Sequence, residues 1–408
     1  MLDFASVLQQ MQSGGQIKLE KGHYHGNFVI HKTIALQCMP GAILDGDGHG
    51  STLSITAKNV IISGCRIIHW GDDLTTMDAG IKVKKSATNV LIKNNQLQGD
   101  AFGVLLMGCK DATVKDNKIE GNVKIRSQDR GNGIHLSSNK GADIIGNTIW
   151  HTRDGIYIET SNGNTIEHNE MHDLRYGIHY MYSYSNIIKN NYTHNTRTGY
   201  AMMDSKYLEI VGNRSDHDQN YGMLMNFITH STIDGNTFSN VSQGGSQNGY
   251  YKIIGAVGKG LFIYNSLYNT ISNNTIEHDG IGIHLTAGSE DNRFFGNNFI
   301  GNQRQVKYVG RRRQEWSYKG RGNYWSDYIG WDRDNNGIGD RPFEPNDNVD
   351  KLLWKYPLAK LLMNSPSVQI LRWAQMQFPV FKSPGITDSY PLMQPVSSKT
   401  GTRRLSSL

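Results

Sequence analysis

Met181 and Met203 stand 22 residues apart, each as the fifth residue of a string that begins Gly-apolar-x-apolar. His179 is the third residue of the first of these strings. Glu159 is the fifth residue of the string before it, and His135 the third residue of the string before that. In an extended strand the second and fourth positions point one way and the third and fifth the other. The apolar positions must face the core, so all five of these side chains face outward, on rungs about 4.8 Å apart. Two thioethers, an imidazole and a nearby carboxylate form a soft, adaptable donor set, better suited to Cu(I) than to zinc, calcium or magnesium. Ala201, beside His179, leaves a gap in which an ion could sit. The competing reading is a patch of partner-facing surface, because exposed methionines also serve adaptable interfaces. Met202, Met223 and Met225 have the opposite parity and are expected to fill the core.

Other residues carry weaker signals. His151, His172, His194, His217 and His278 precede the glycines by four or five residues, near the turn into the same face. They read as turn and surface residues that make this side rich in imidazole. Asp332, Asp334, Asn336 and Asp340 place oxygen donors at alternating positions around Gly337, as calcium loops do, although the closing Glu of an EF-hand is missing. Cys38, Cys65 and Cys109 are too few and too irregularly spaced for a disulfide framework or a C-x-x-C metal pair, and are expected as buried thiols.

These side chains are positioned by a repeat. The Gly-apolar-x-apolar string begins at Gly80, Gly103, Gly133, Gly155, Gly177, Gly199, Gly222, Gly260 and Gly282. A second string, x-Asn-x-apolar, keeps step with it at Asn95, Asn117, Asn147, Asn169, Asn191, Asn213, Asn236 and Asn274. A shared period near 22, with insertions of about 8 and 16 residues near 121–131 and 239–259 falling in both registers, describes coils of a parallel β-helix. The fold class is all-β: a right-handed single-stranded parallel β-helix of roughly ten to twelve coils over residues 1–300. Stacked Asn side chains would form a ladder from coil to coil, and Cys65 occupies the same position in an early coil. Residues Asp3 to Met11 read as a short amphipathic helix that plugs the N-terminal end. Periodicity fades after Asn298, and 301–395 reads as a mostly helical or irregular capping segment, followed by a disordered tail over 396–408.

Composition limits the alternatives. The 408 residues include 45 glycines and 9 prolines with only 19% charged residues, which suits many tight turns. A net charge of +6 is spread too thinly to indicate a nucleic-acid partner, and no apolar run is long enough to span a bilayer. No basic, apolar leader follows Met1-Leu2-Asp3, so the residues alone leave the compartment open. Parallel β-helices also house polysaccharide lyases, hydrolases and epimerases, and Asp154, Asp279, His135, Arg153 and His284 could take such roles. The outward columns carry no carboxylate pair on neighbouring coils, which argues against a glycosidase.

The C-terminal sequence is more distinctive. Gly322-Asn323-Tyr324-Trp325-Ser326-Asp327-Tyr328, Gly330-Trp331-Asp332 and Arg341-Pro342-Phe343-Glu344-Pro345-Asn346-Asp347 closely resemble a segment of the NosD family. The likeness continues through Asp350-Lys351-Leu352-Leu353-Trp354 and Asp388-Ser389-Tyr390-Pro391, and upstream at Arg175-Tyr176-Gly177-Ile178-His179-Tyr180-Met181. The resemblance implies a non-enzymatic periplasmic protein, its leader absent from this chain, in the maturation of nitrous oxide reductase. It further implies an ABC transporter with a membrane permease and a cytoplasmic ATPase, a copper-donor lipoprotein, and nitrous oxide reductase as client. No Walker A motif occurs here, so nucleotide chemistry would belong to the partners. Trp354, Trp373 and Phe378, in a stretch of helix-like spacing broken at Pro357 and Pro366, are then candidate anchors for docking onto the transporter. The expected function is copper handling; the alternatives are a carbohydrate-active enzyme and an adaptor that holds no metal.

Overall fold

The computed structural model describes residues 4–241, 257–286, 288–345, 365–367, 370 and 385–397. The chain winds into a parallel β-helix of three long sheets, with 12, 13 and 12 strands, in which every strand pairs in parallel with its counterparts in the coils before and after. One central coil shows the plan. The first sheet takes Thr165–Glu167, the second Glu170–His172 and the third Tyr176–Met181, and the next coil repeats this with Ile187–Lys189, Tyr192–His194 and Thr198–Met203. Equivalent residues stack in register, so Ile156, Ile178, Tyr200 and Met223 form one inward column of the third sheet.

The second-sheet ladder reaches 13 strands, more coils than the ten to twelve expected. The two N-terminal coils lack the Gly-apolar-x-apolar string, and the stack runs past residue 300 to the strands Val306–Val309 and Tyr324–Trp325. At about 4.8 Å per coil the rod is about 60 Å long. The recurrent glycine has a steric cause: a Cβ at Gly177 would come 2.6 Å from the carbonyl oxygen of Gly199 in the next coil.

The asparagine ladder is continuous from Asn95 to Asn323 and is buried throughout. At each rung the Oδ1 of one Asn accepts both the backbone N–H and the side-chain N–H of the Asn one coil earlier, as Asn169 does from Asn147 at 2.9 Å and 2.9 Å. The Nδ2 of Asn169 also donates to the Ile144 and Glu167 carbonyls. The ladder starts where Asn95 Oδ1 accepts from the Cys65 N–H, and it ends on a carboxylate, because Asp388 accepts from the backbone and side chain of Asn323 and from the Trp325 indole. A second ladder of Ser and Asn at another corner includes Ser161, Ser183 and Ser205, each hydroxyl accepting from the preceding coil's backbone.

Met202, Met223 and Met225 are fully buried, as their parity requires. The N-terminal helix, Phe4–Gln10, buries Phe4 and Leu8, with the Phe4 ring 4.7 Å from Phe28. Lys32 caps its C-terminal end by donating to the Gln9 and Met11 carbonyls. At the other end Trp316 stacks on Phe294 at 4.0 Å and Trp325 on Phe299 at 4.1 Å, and Phe343 packs beside Trp325. Over 301–345 and 385–397 the C-terminal region expected as mostly helical or irregular forms short strands and turns, including Gln314–Glu315 paired with Ile386–Thr387, while most of the stretch of helix-like spacing lies outside the described residues. Among the described residues, large aromatics continuing the core columns close this end. Val396 exchanges two hydrogen bonds with Asn298, so the ordered chain extends into the span expected as tail, while 398–408 lie outside the described residues. Among the described residues no helix is long and apolar enough to cross a membrane.

The cysteines correct the reading of three free thiols. Cys38 and Cys65, 27 residues apart, form a disulfide between successive coils. Only Cys109 is free, and burial pushes its thiol up to about 12. Coil-to-coil stacking brings together two cysteines whose spacing matches no linear motif, and the bond suits an oxidising compartment.

Two outcomes follow. Asn169→Ala leaves the Asn147 amide and the Asn191 acceptor without their shared partner and lowers unfolding stability by about 3 kcal/mol, whereas Gln98→Ala, at an exposed position, costs less than about 0.5 kcal/mol; urea midpoints would separate them. Reduction of Cys38–Cys65 lowers stability by about 2–4 kcal/mol. A thiol reagent should find no reactive cysteine in the native oxidised protein and one after denaturation.

Candidate metal centre on the third sheet

The outward face of the third sheet carries a cleft of about 400 Å³, lined by His135, Tyr157, His179, Met181 and Met203 together with Asn132, Asp154 and three arginines. In-register pairing makes the arrangement compact. His135, Tyr157, His179 and Ala201 follow one another in one column, and Ser137, Glu159, Met181 and Met203 in the next. The Met side chains are partly exposed at the rim, while His135 and His179 are buried at 5% and 7% exposure. At these two positions the outward column is therefore covered. Leu105, which also faces outward, is fully buried, and Leu74 and Met77 from the preceding excursion pack against the apolar cluster it belongs to.

Of the five sequence candidates, His135 and His179 are separated by the Tyr157 ring, at 4.8 Å and 4.6 Å, while Glu159 and Met181 are register neighbours. Glu159 is engaged by Ser137 at 3.0 Å, Tyr157 at 3.2 Å and His135 at 3.4 Å. The bond to His135, reinforced by the two hydroxyls, holds its carboxyl at about 2. The Tyr157 hydroxyl also donates to Met181 Sδ at 3.3 Å. Ala201 is fully buried between His179 and Leu224 in its column, so the expected gap beside it is closed, because a methyl is overshadowed by longer neighbours. Tyr157 and three arginines line the cleft, and Ala201 does not.

Asp154 organises the floor. It is 1% exposed and bonds Arg175 at 2.8 Å and 2.6 Å and His179 Nδ1 at 3.1 Å. Burial alone would raise its carboxyl, but the bonds from His179 and Arg175 outweigh burial and hold it below the usual carboxylate range. A carboxylate on Nδ1 fixes the imidazole with its proton on that side, leaving Nε2 as the lone-pair atom. Among the described residues, buried His179 Nε2 finds no hydrogen-bond partner, and the same holds for Arg153 Nε and Asn132 Oδ1, both in residues of this cleft. A buried polar atom left unmatched costs free energy unless a ligand meets it.

Asp154 and its neighbours escape a reading based on the third and fifth positions alone. They belong to the column just before the glycine, where Phe102, Asn132, Asp154 and Tyr176 stand in successive coils and all line the cleft. That column changes type sharply while the flanking apolar columns do not. Of the outlying histidines, His172 and His194 face out from the second sheet with rings stacked at 4.8 Å. His151, His217 and His278 occupy left-handed turn positions, with φ of 60°, 55° and 56°. In the C-terminal loop, one ligand oxygen each from Asp332, Asp334 and Asp340 lies within 4.8 Å of the others. Asp332 accepts from the Asn336 and Gly337 N–H groups, while Asn336 turns its Oδ1 to the Ile338 N–H. Trp354, Trp373 and Phe378 lie outside the described residues.

Comparison with known proteins supplies the family. Residues 116–330 match the profile described as Periplasmic copper-binding protein (NosD), and residues 43–149 that of a right-handed β-helix region. A protein of Stutzerimonas stutzeri named Probable ABC transporter binding protein NosD is 59% identical over 95% of this chain and 88% of its own length. A protein of the same name from Pseudomonas aeruginosa is 60% identical over 93% of this chain and 88% of its own length. Among solved structures, the catalytic unit of a GH87 alpha-1,3-glucanase from Streptomyces thermodiastaticus aligns with a TM-score of 0.60, covering 79% of this chain and 65% of that one. At 12% identity that likeness concerns the coil geometry alone. With identities near 60% along almost its whole length and a profile match across its central coils, the chain belongs to the NosD family of periplasmic copper-binding proteins.

Proposed function

We propose that this chain takes up Cu(I) on the outward face of its third sheet and passes it on, with His179 Nε2, Met181 Sδ and Met203 Sδ as the ligands. The observation that carries the reading is the buried, unpartnered Nε2 of His179, its other nitrogen held by Asp154. Soft thioethers beside one imidazole favour the monovalent ion, and partial exposure of both methionines leaves a route for exchange with a partner. Glu159 and His135 form a neighbouring polar pair, across Tyr157, that supports the rim. The names of the relatives extend the proposal to work beside an ABC transporter of permease and ATPase subunits. The family resemblance adds a lipoprotein donor and nitrous oxide reductase as the receiver of the copper. The C-terminal loop of Asp332, Asp334 and Asp340 would hold a calcium ion as a structural clamp.

The chemistry of the cleft speaks against glycoside hydrolysis. Hydrolysis needs one carboxyl that gives a proton and one free carboxylate. Asp154 is committed to Arg175 and His179, and Glu159, held as a carboxylate by His135 and two hydroxyls, is poorly suited to give a proton. Copper exchange requires neither.

In competition with a chromogenic Cu(I) chelator, the wild type should bind tightly, and the His179→Ala, Met181→Ala, Met203→Ala triple variant should lose about 100-fold or more in affinity. Asp154→Asn, which disturbs only the orienting bond, should lose about 10- to 100-fold. Equal binding by the wild type and the triple variant would remove the ion from this cleft, and absence of binding in both would leave an adaptor without metal. For the loop, excess Ca²⁺ should raise the melting temperature of the wild type and leave that of Asp332→Asn unchanged.

A further inference from the structure

A second group of metal-ligand residues lies at the N-terminal end of the rod, on the second sheet. The strand Gly22–His25 turns His23 and His25 outward, and the next coil sets Asp45 in register with His25. The Asp45 carboxylate is 4% exposed, and its Oδ2 lies 2.7 Å from His23 Nε2 and 3.2 Å from His69 Nδ1, with His69 arriving from the coil after. The Asp47 N–H donates to its Oδ1 at 3.0 Å. His25 Nδ1 is held by Asp47 at 2.7 Å, and the His23 and His25 rings stack at 4.2 Å. One ligand atom from each of His23, His25 and Asp45 lies within 4.8 Å of the other two.

We infer that His23, His25 and Asp45 bind a divalent transition cation of the Zn²⁺ class, with water completing the coordination and His69 holding the Asp45 carboxylate from the coil after. Three considerations carry this. The donors are imidazole nitrogens and a carboxylate oxygen with no sulfur among them, a set that selects borderline divalent ions over Cu(I). In a tetrahedral zinc site with bonds near 2.0–2.1 Å the ligand atoms stand about 3.3 Å apart, and Asp45 Oδ2 lies 2.7 Å from His23 Nε2, a little inside that spacing. Asp47 on His25 Nδ1 reproduces the carboxylate–histidine arrangement that orients a metal-bound imidazole through its far nitrogen. Two successive coils supply the donors, so the stacking that builds the core also sets their spacing. The ligands belong to the first coils and to the second sheet, away from the thioether cleft, and the site does not depend on the copper reading.

The test uses the full chain stripped of metal and titrated with Zn²⁺ against a chromogenic zinc chelator, in excess Ca²⁺ to occupy the Asp332 loop. The wild type and Met181→Ala, Met203→Ala should bind one equivalent with the same affinity. The His23→Ala, His25→Ala variant and Asp45→Asn should each bind about 10- to 100-fold more weakly or worse. Co²⁺ should give the visible bands of a four-coordinate site in the wild type and not in the histidine variant. His25 is exposed, so His25→Gln gives a second variant that keeps the fold, verified by an unchanged melting temperature without metal. The inference is overturned if the wild type fails to bind Zn²⁺, if the histidine variants bind as well as the wild type, or if the methionine variant loses the ion instead.

Discussion

Each coil of this protein is held to the next by side chains that bridge backbones in the interior. A 22-residue coil cannot close an apolar core alone, and its corners would bury peptide N–H groups with no strand partner. The asparagine ladder meets that constraint at one corner for the whole length from Asn95 to Asn323, and the Ser and Asn series does so at another. Because each Oδ1 receives two donors from the preceding coil, the coils cannot slide against one another without breaking buried bonds. The register of every outward column depends on this.

The candidate metal centre is a product of that register. His179, Met181 and Met203 line one cleft because their strands are locked one rung apart, and Asp154 reaches His179 from the previous coil. The protein supplies the centre with a fixed tautomer, a covered floor and a partly open rim. The arginines and Tyr157 crowd the remaining side, which keeps the cleft polar around a soft donor set.

Much of this is legible in the sequence because the period leaves two independent traces. Strand parity separates Met181 and Met203 from Met202, Met223 and Met225, and burial follows that division. Parity does not say which outward positions are covered, and Leu105 and Ala201 are buried because neighbouring side chains overhang them. Nor does it reach the residue before the glycine, which is how Asp154 is overlooked as the partner of His179. The Cys38–Cys65 bond and the Trp316 and Trp325 cap lie at the ends, where the repeat string is absent and only three-dimensional stacking brings the residues together. The insertions near 121–131 and 239–259 interrupt the count between strands without disturbing the stacking on either side, since Val104 still pairs with Ile134 and Met223 with Leu261.

That tolerance of insertions has a wider consequence. Ligand spacing in this fold is set by a lattice constant, the rise from one coil to the next, and not by the length of chain between the ligands. Whole coils could be gained or lost toward either end, and loops could lengthen to meet new partners, while the geometry around His179 stayed as it is. A rod built this way separates its metrology from its reach, so lineages can change what it touches without recalibrating what it holds.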